Sequence, residues 1–283
     1  MLSKRENKIY VIAEIGVNHN GKISLAKKLI RAAKNAGADA VKFQNFSADK
    51  LSTKNAKKAP YQIKNTKNNE SQYLMLKGLE LKQKDYFKLK KFSEKLKIDF
   101  ISSVFDSESI HFLLKKLKIK MIKIPSGELT NFLILKEINL KKCQILLSTG
   151  MSNIKEIINA INTISKSIIY KFEKRKIKVV NNKMLNKIKK KLTVLHCVTD
   201  YPVDDKYANL KCIENLSKLL RINIGYSDHT KGIIAPLIAA SKGASVIEKH
   251  FTLSKKMKGP DHPASLEPKE FKEMVKNLRD FEL

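Results

Sequence analysis

The run Ser245-Val246-Ile247-Glu248-Lys249-His250-Phe251 is apolar until its last turn of residues, where it becomes charged. One unit earlier, residues 222–227 repeat the pattern and lead into Asp228-His229. Both stretches have the length and the β-branched content of strands in a parallel sheet. Each therefore carries a histidine at its C-terminal tip. Two imidazoles so placed are suited to hold one metal ion over the mouth of a barrel, and the rest of the chain decides whether such a barrel exists.

Working outward, strand-like runs occur at 9–15, 38–44, 99–104, 120–124, 144–148, 192–198, 222–227 and 245–251. Stretches with helical spacing follow them: Leu25, Leu29, Ile30 and Ala33 after the first, then 110–117, 133–138, 154–164, 209–220, 233–242 and 269–281. Ser24, Ser107 and Asn153 are the expected helix caps. Eight strand–helix units in a chain of 283 residues predict a single α/β domain with the (β/α)8 architecture spanning residues 1–283. A doubly wound sheet would need a glycine-rich first turn, and residues 14–21 read EIGVNHNG, which is not that pattern. Two connections are long. Residues 45–71 are polar, carry Lys54, Lys57, Lys58 and Lys64, and are expected to lie over the top face as a lid. Residues 165–191 hold 11 Lys and Arg against one acid, Glu173. They form a basic insertion between helix five and strand six, an expansion or a surface hairpin, expected at the bottom face, away from the site.

The net charge of +30 suggests a polyanion partner, but the residue types argue otherwise. Arginine stands only at 5, 31, 175, 221 and 279, and tryptophan is absent. Readers of nucleic acid rely on arginine forks and aromatic platforms, so a solvated lysine coat is expected and no nucleic-acid partner. No apolar run is long enough for a membrane span and the start is polar. Cys143, Cys197 and Cys212 are few and unclustered, which suits a reducing cytoplasm.

Barrel enzymes draw their chemistry from the C-terminal ends of the strands. In order, these ends present Glu14; Lys42 and Gln44; Ser102 and Ser103; Lys123 and Ser126; Ser148 and Thr149; Cys197, Thr199 and Tyr201; Ser227 and His229; Glu248 and His250. Two lysines with several hydroxyls near helix N-termini suit a phosphate and a carboxylate on one small ligand. Two imidazoles among oxygen donors suit Mn²⁺, with Mg²⁺ or another divalent ion as a substitute. His196 is expected to be a hydrogen-bonded core residue and His111 a surface one. Cys197 has no histidine base beside it and is not expected to act as a nucleophile.

The segments AEIGVNHNG (13–21), GADAVKFQ (37–44), ISSVFD (101–106), KIPSGELTN (123–131), LLSTGM (146–151), LHCVTDYP (195–202), IGYSDHT (224–230), IEKHFTL (247–253) and GPDHPASLEP (259–268) resemble the sialic acid synthase family from end to end. The resemblance implies condensation of phosphoenolpyruvate with the open-chain form of an N-acylated hexosamine, to a nine-carbon acid and phosphate. It implies that His229 and His250 hold the divalent metal. Lys42, Ser103, Lys123, Ser126, Ser148, Thr199 and Ser227 would cradle phosphoenolpyruvate. Glu14, Gln44, Tyr201 and Asp261 would hold the sugar, and Glu128, in the SGE motif, is a further candidate for proton transfer beside Glu14, Lys42 and Lys123. N-acetylmannosamine, giving N-acetylneuraminate, is the preferred sugar; the alternative is a 2,4-diacetamido hexose giving N,N′-diacetyllegionaminate. A barrel that binds sugar without catalysis is a further alternative.

Two departures bear on these expectations. The family carries, after the barrel, a small domain resembling antifreeze proteins that supplies an arginine to the partner subunit of a homodimer. The sequence ends at Leu283, so this domain and its arginine are expected to be missing: either the sequence is truncated, or the domain comes from another chain, or the sugar side is more open. Thr199 stands where many members have asparagine, a side chain with more hydrogen-bonding groups.

Overall fold

Val- and Ile-rich runs become buried strands, and the amphipathic runs between them become helices laid over those strands. The computed structural model describes residues 8–140, 142–174 and 176–282; the polar start of the chain and Arg175 lie outside them. The first half contains β1 (Tyr10–Gly16), α1 (Ile23–Asn35), β2 (Ala40–Asn45), α2 (Ala48–Leu51), α3 (Pro60–Thr66), α4 (Gln72–Leu79), α5 (Gln83–Lys95), β3 (Asp99–Val104), α6 (Ser107–His111), β4 (Met121–Ile124) and α7 (Phe132–Glu137). The second contains β5 (Gln144–Ser148), α8 (Ile154–Ser165), β6 (Tyr170–Glu173), β7 (Lys176–Val179), α9 (Asn182–Ile188), β8 (Leu192–His196), α10 (Lys211–Leu220), β9 (Asn223–Asp228), α11 (Ile234–Ser241), β10 (Val246–His250) and α12 (Pro268–Phe281).

Eight strands close into a parallel barrel in the order β1-β10-β9-β8-β5-β4-β3-β2, the (β/α)8 architecture read from the sequence. Two cores result. The larger lies between strands and helices and includes Val11, Val41, Phe43, Ile145 and Ile247 from the sheet, with Leu29, Ile161 and Phe271 from the helices. The smaller fills the barrel itself: Tyr10, Ile12, Ala40, Ile101, Met121, Leu146, Leu195 and Val246. Side chains in a strand return to the same face every second residue. Two residues on from this apolar plug, the inward positions are therefore Glu14, Lys42, Ser103, Lys123, Ser148, Cys197 and Glu248, with Ser227 following Gly225 on β9. A polar layer sits directly on an apolar one.

The helix starts differ from expectation in two places. α1 is preceded by Lys22, with no side-chain cap, and Ser24 lies within the helix. At α6 the cap is Asp106, whose Oδ1 accepts from the Ser109 amide, rather than Ser107; the helix then passes into a π turn over Phe112–Lys116. Asn153 does cap α8, in a reciprocal box with Glu156.

Residues 45–71 are not a bare loop, since α2 and α3 lie within them and α4 follows at once. Their knot is Lys58, 5% exposed, which donates to Thr66 Oγ1 at 2.8 Å and to Asn68 Oδ1 and lies 3.7 Å from Glu70. Asn65 Nδ2 donates to the Pro260 carbonyl at 2.6 Å, tying this layer to the loop that carries Asp261. The basic segment is the surface hairpin expected, but at another level of the barrel. β6 and β7 form an antiparallel hairpin that climbs the outside of the barrel, so that Lys155 in the first turn of α8 packs 4.9 Å over the Phe172 ring. Phe172 and Ile177 line a cleft of about 940 Å³ together with Thr149, Cys197 and Thr199, so the hairpin reaches the level of the strand ends. Among the described residues no helix is long and apolar enough to cross a membrane.

Gly225 is where the inner packing is tightest. A Cβ there would lie 2.5 Å from Leu195 Cδ2, 2.7 Å from the Val246 carbonyl oxygen and 2.8 Å from Val246 Cβ. Overpacking of this kind costs about 1–3 kcal/mol, so Gly225→Ala is expected to lower the thermal midpoint by several degrees. Gly78→Ala, on exposed α4 with open space around the new methyl, should leave the midpoint unchanged or raise it. Calorimetry of the two variants side by side checks the pair; an unaffected Gly225→Ala protein would contradict the packing described.

Candidate active site

The polar layer lines a cavity of about 140 Å³ at the C-terminal mouth of the barrel. Its walls include Glu14, Lys42, Gln44, Ser103, Lys123, Ser126, Ser148, Thr199, Tyr201, Ser227, His229, Glu248 and His250. Twelve of the fourteen site residues expected from the sequence therefore meet in one place, counting against the cavity lining. Asp261 is not in that lining but is close by, with Oδ2 4.0 Å from His250 Nδ1. Glu128 stands apart: it is half-buried on the Ser126–Glu128 turn and its Oε2 accepts from Asn131 Nδ2 at 2.8 Å. That carboxylate closes its own turn and does not face the cavity.

Strand register explains the grouping. Glu14 pairs with His250 on one side and Lys42 on the other, Gln44 with Ser103, Ser103 with Lys123, and Glu248 with Ser227. Lys42 Nζ lies 2.8 Å from Glu14 Oε2 and 3.7 Å from Glu248 Oε2, and donates to Ser103 Oγ at 3.2 Å. Lys123 Nζ and Ser227 Oγ both donate to Glu248 Oε1 at 2.8 Å. Gln44 Nε2 donates to Glu14 Oε1 at 2.9 Å. Glu248 is thus the hub between the two lysines, a role the sequence reading left unassigned although it quoted the residue. The available signal was its position two residues before His250 on the same strand.

Burial and charge act against each other here. Burial raises the Glu14 carboxyl, Lys42 opposes this, and the neighbouring Glu248 adds to the rise. Burial also disfavours charge on Glu248, but Lys123 and Lys42 together outweigh it and hold the carboxyl below its ordinary value. Lys42 is likewise raised against burial by Glu14 and Glu248. Lys123 is lowered, because burial exceeds what Glu248 returns. Glu248 is then a fixed charge, and of the two glutamates Glu14 is the one more ready to take or give a proton.

Around the histidines the site is aromatic. The Tyr201 ring lies 4.1 Å from His229 and 5.6 Å from His250, and Tyr61 from α3 lies 5.2 Å from Tyr201. Tyr61 lies in the 45–71 run and is not among the site residues expected from the sequence. His229 Nδ1 is 2.6 Å from the Val198 carbonyl; a carbonyl only accepts, so Nδ1 carries the proton and Nε2 presents its lone pair. The rings of His229 and His250 are 5.7 Å apart. Burial pushes His229 down to about 4 and His250 well below its ordinary value, so both are neutral, the form that ligates metals. His250 Nδ1 is buried without a hydrogen-bond partner. These two donors fit a divalent cation. Among the described residues no group of three or more His, Cys, Asp or Glu side chains is arranged to hold one.

The hydroxyl side is built on Gly150. Its amide donates to Ser126 Oγ at 3.0 Å, and a Cβ there would lie 2.3 Å from Thr199 Oγ1 and 2.9 Å from Ser126 Oγ, so only glycine lets the chain pass this close. Cys197 Sγ is 3.1 Å from Ser126 Oγ and has no imidazole partner, as expected. His196 is buried with Nε2 2.8 Å from the Ala208 carbonyl, and His111 is exposed.

A family model described as the NeuB family matches residues 29–283. The chain belongs to the NeuB family. It is 44% identical over 273 residues to an N,N′-diacetyllegionaminic acid synthase of Legionella pneumophila, covering 96% of this chain and 72% of that one. It is 46% identical over 275 residues to a protein of the same name from Campylobacter jejuni, covering 97% and 77%. Among solved structures, the N-acetylneuraminic acid synthetase of Leptospira borgpetersenii in complex with citrate superposes with a TM-score of 0.79 at 30% identity, covering 98% of this chain and 84% of that one.

Asp261 provides a test of the site's electrostatics. Burial raises its carboxyl to about 7, with the Glu14 charge adding and Lys42 opposing. Between the ordinary aspartate range and pH 7, folded Asp261 keeps a proton that the unfolded chain has lost. Stability therefore falls as pH rises through that window, by on the order of 2–4 kcal/mol in all. In EDTA, Asp261→Asn should match wild type near pH 4 and exceed it increasingly up to pH 8 in urea denaturation. A difference that does not change with pH would return this carboxyl to its ordinary range.

Proposed function

We propose that this chain condenses phosphoenolpyruvate with the open-chain form of an N-acylated hexosamine, giving a nine-carbon 2-keto acid and inorganic phosphate with the help of a divalent metal. The observation that carries this reading is one cavity in which two buried lysines face two neutral imidazoles across Glu248 and Glu14. Lys42 and Lys123, with the hydroxyls of Ser103, Ser126, Ser148, Thr199 and Ser227, form the anion cradle. They hold the phosphate and carboxylate so that C3 of the enol faces the aldehyde. His229 and His250 hold the cation, Mn²⁺ by donor type with Mg²⁺ as a substitute. When bound, it supplies Lewis acidity toward the aldehyde oxygen.

The chain's own groups do the rest. C3 of phosphoenolpyruvate bonds to the aldehyde carbon, positive charge develops at C2, water adds there, and phosphate leaves. Glu248, kept ionised between the lysines, and the Glu14 carboxylate face that developing charge. Glu14, with its raised pKa, is the group suited to move the proton of the added water or of the new hydroxyl. Gln44, Tyr201 and Asp261 lie on the histidine side, where the sugar would sit. Three free cysteines, two of them buried, suit the reducing cytoplasm in which such a synthase would work.

A specific observation favours the second sugar. The relatives at 44% and 46% identity carry the name N,N′-diacetyllegionaminic acid synthase, against 30% for the N-acetylneuraminic acid synthetase. A 2,4-diacetamido hexose is therefore a substrate to set beside N-acetylmannosamine.

Phosphate release from phosphoenolpyruvate and Mn²⁺, with each sugar in turn and with or without EDTA, tests the proposal. Release is expected with one sugar over the other and loss in EDTA. His229→Ala and His250→Ala should each lower kcat by about a thousandfold or more with the fold intact by circular dichroism. Unchanged turnover in either variant removes the metal assignment, and no release with either sugar removes the activity.

A further inference from the structure

We propose that Asp228 and Lys249 are positioning residues: a sealed ion pair on the outer side of the barrel wall that sets the placement of the His229 and His250 imidazoles. The inference rests on the reading above, in which those imidazoles hold a divalent cation. Alternation along the strands turns Ser227 and His229 inward and Asp228 outward, and does the same for Glu248, His250 and Lys249. Asp228 and Lys249 are register partners on β9 and β10. The pair therefore stands directly behind the two histidines, on the far side of the sheet from any substrate.

Its contacts are made to the backbone that carries His229. Lys249 Nζ donates to Asp228 Oδ2 and, at 2.6 Å, to the Thr230 carbonyl. Asp228 Oδ1 accepts from the Thr230 amide at 2.8 Å and from Tyr226 OH at 3.0 Å. Both main-chain groups of Thr230 are thus tied to the pair. The Val203 amide donates to the His229 carbonyl at 2.9 Å, and Val198 receives the ring proton, so His229 is fixed from three directions. Lys249 is itself the residue before His250, which joins the two histidines through one network.

Both side chains are 0% exposed. A buried ion pair is often no more stable than apolar residues packed in its place, so stability is a weak reason for these charges. An apolar pair, however, could not hold the Thr230 amide and carbonyl at once. Geometry is what the charges supply here, and groups that orient metal ligands in this way commonly govern metal affinity by about 10–100-fold.

The test uses the conservative variant Asp228→Asn, which keeps an acceptor for Tyr226 and Thr230, and the double variant Asp228→Asn/Lys249→Met. Three quantities are read on each: the thermal midpoint, the Mn²⁺ dissociation constant by electron paramagnetic resonance, and the ring signals of ¹³C-labelled histidines in metal-free protein, assigned with His229→Ala and His250→Ala. The expected result is a double variant that stays folded, binds Mn²⁺ about 10–100-fold more weakly, and shows broadened or doubled signals for His229 and His250 but not for His111. Unchanged ring signals with unchanged Mn²⁺ affinity overturn the proposal, as does a loss of stability alone with both rings undisturbed. If wild type itself binds no Mn²⁺, the metal reading fails, and the ring signals still decide whether the pair positions the histidines.

Discussion

Four charges are held out of water at the mouth of this barrel, and the arrangement around them follows from the cost of doing so. An isolated buried ion costs several kcal/mol. Lys42, Lys123, Glu14 and Glu248 avoid much of that cost by facing one another inside the barrel mouth, Lys42 and Glu14 from adjacent strands and Lys123 and Glu248 from opposite ones, with Ser103, Ser227 and Gln44 completing their hydrogen bonds. The compensation is uneven. Glu248 touches both lysines, whereas Glu14 touches one and faces another carboxylate, which is why the two glutamates shift in opposite directions. An anion entering between the lysines adds negative charge to a cluster that was balanced. Glu14 is the member whose charge is least supported there.

This local neutrality separates the site from the charge of the molecule as a whole. A net charge of +30 surrounds the protein with a positive potential that draws small anions inward and weakens with salt. Inside the cavity, however, two cations meet two anions, so the lysine coat cannot set the strength or the geometry of binding. Lys58 shows the same point from the lid: a buried lysine in a basic stretch, fully engaged with Thr66, Asn68 and Glu70 rather than with any ligand.

The barrel was legible because its signals are local. Runs such as 99–104 and 144–148 became strands with the very bounds their composition suggested, and Ser103 and Ser148 near their ends proved to be the next inward step above the apolar plug. Which partner each side chain would find was not legible. Glu128 has the right motif, but its carboxylate is taken by Asn131 three residues on. Tyr61 reaches Tyr201 only because α3 folds back over the mouth, and Gly150 matters only because Ser126 and Thr199 converge on it. The basic hairpin was misplaced for the same reason: charge content says that a segment is solvated, while the apolar pairing of Phe172 and Ile177 with α8 decides how far up the barrel it runs.

The division between strand ends and loops bears on how one scaffold serves different sugars. The anion cradle is formed mostly at the ends of β2, β3, β4, β5 and β9, where rigid ladders and the packed core fix each side chain. The histidine side is closed by parts outside the strand ladders: Tyr61 on α3, Tyr201 on the connection after β8, and Asp261 on the connection after β10, the last joined to α3 by the Asn65–Pro260 hydrogen bond. On the proposed reading, the reactant held by the strands is phosphoenolpyruvate and the one facing the loops is the sugar. Loops accept substitution without disturbing a core, so a change of substituent on the hexose can be met by residues of α3 and the two connections. The lysines, the carboxylates and the histidine pair need not move, and the chemistry they support is kept while the sugar changes.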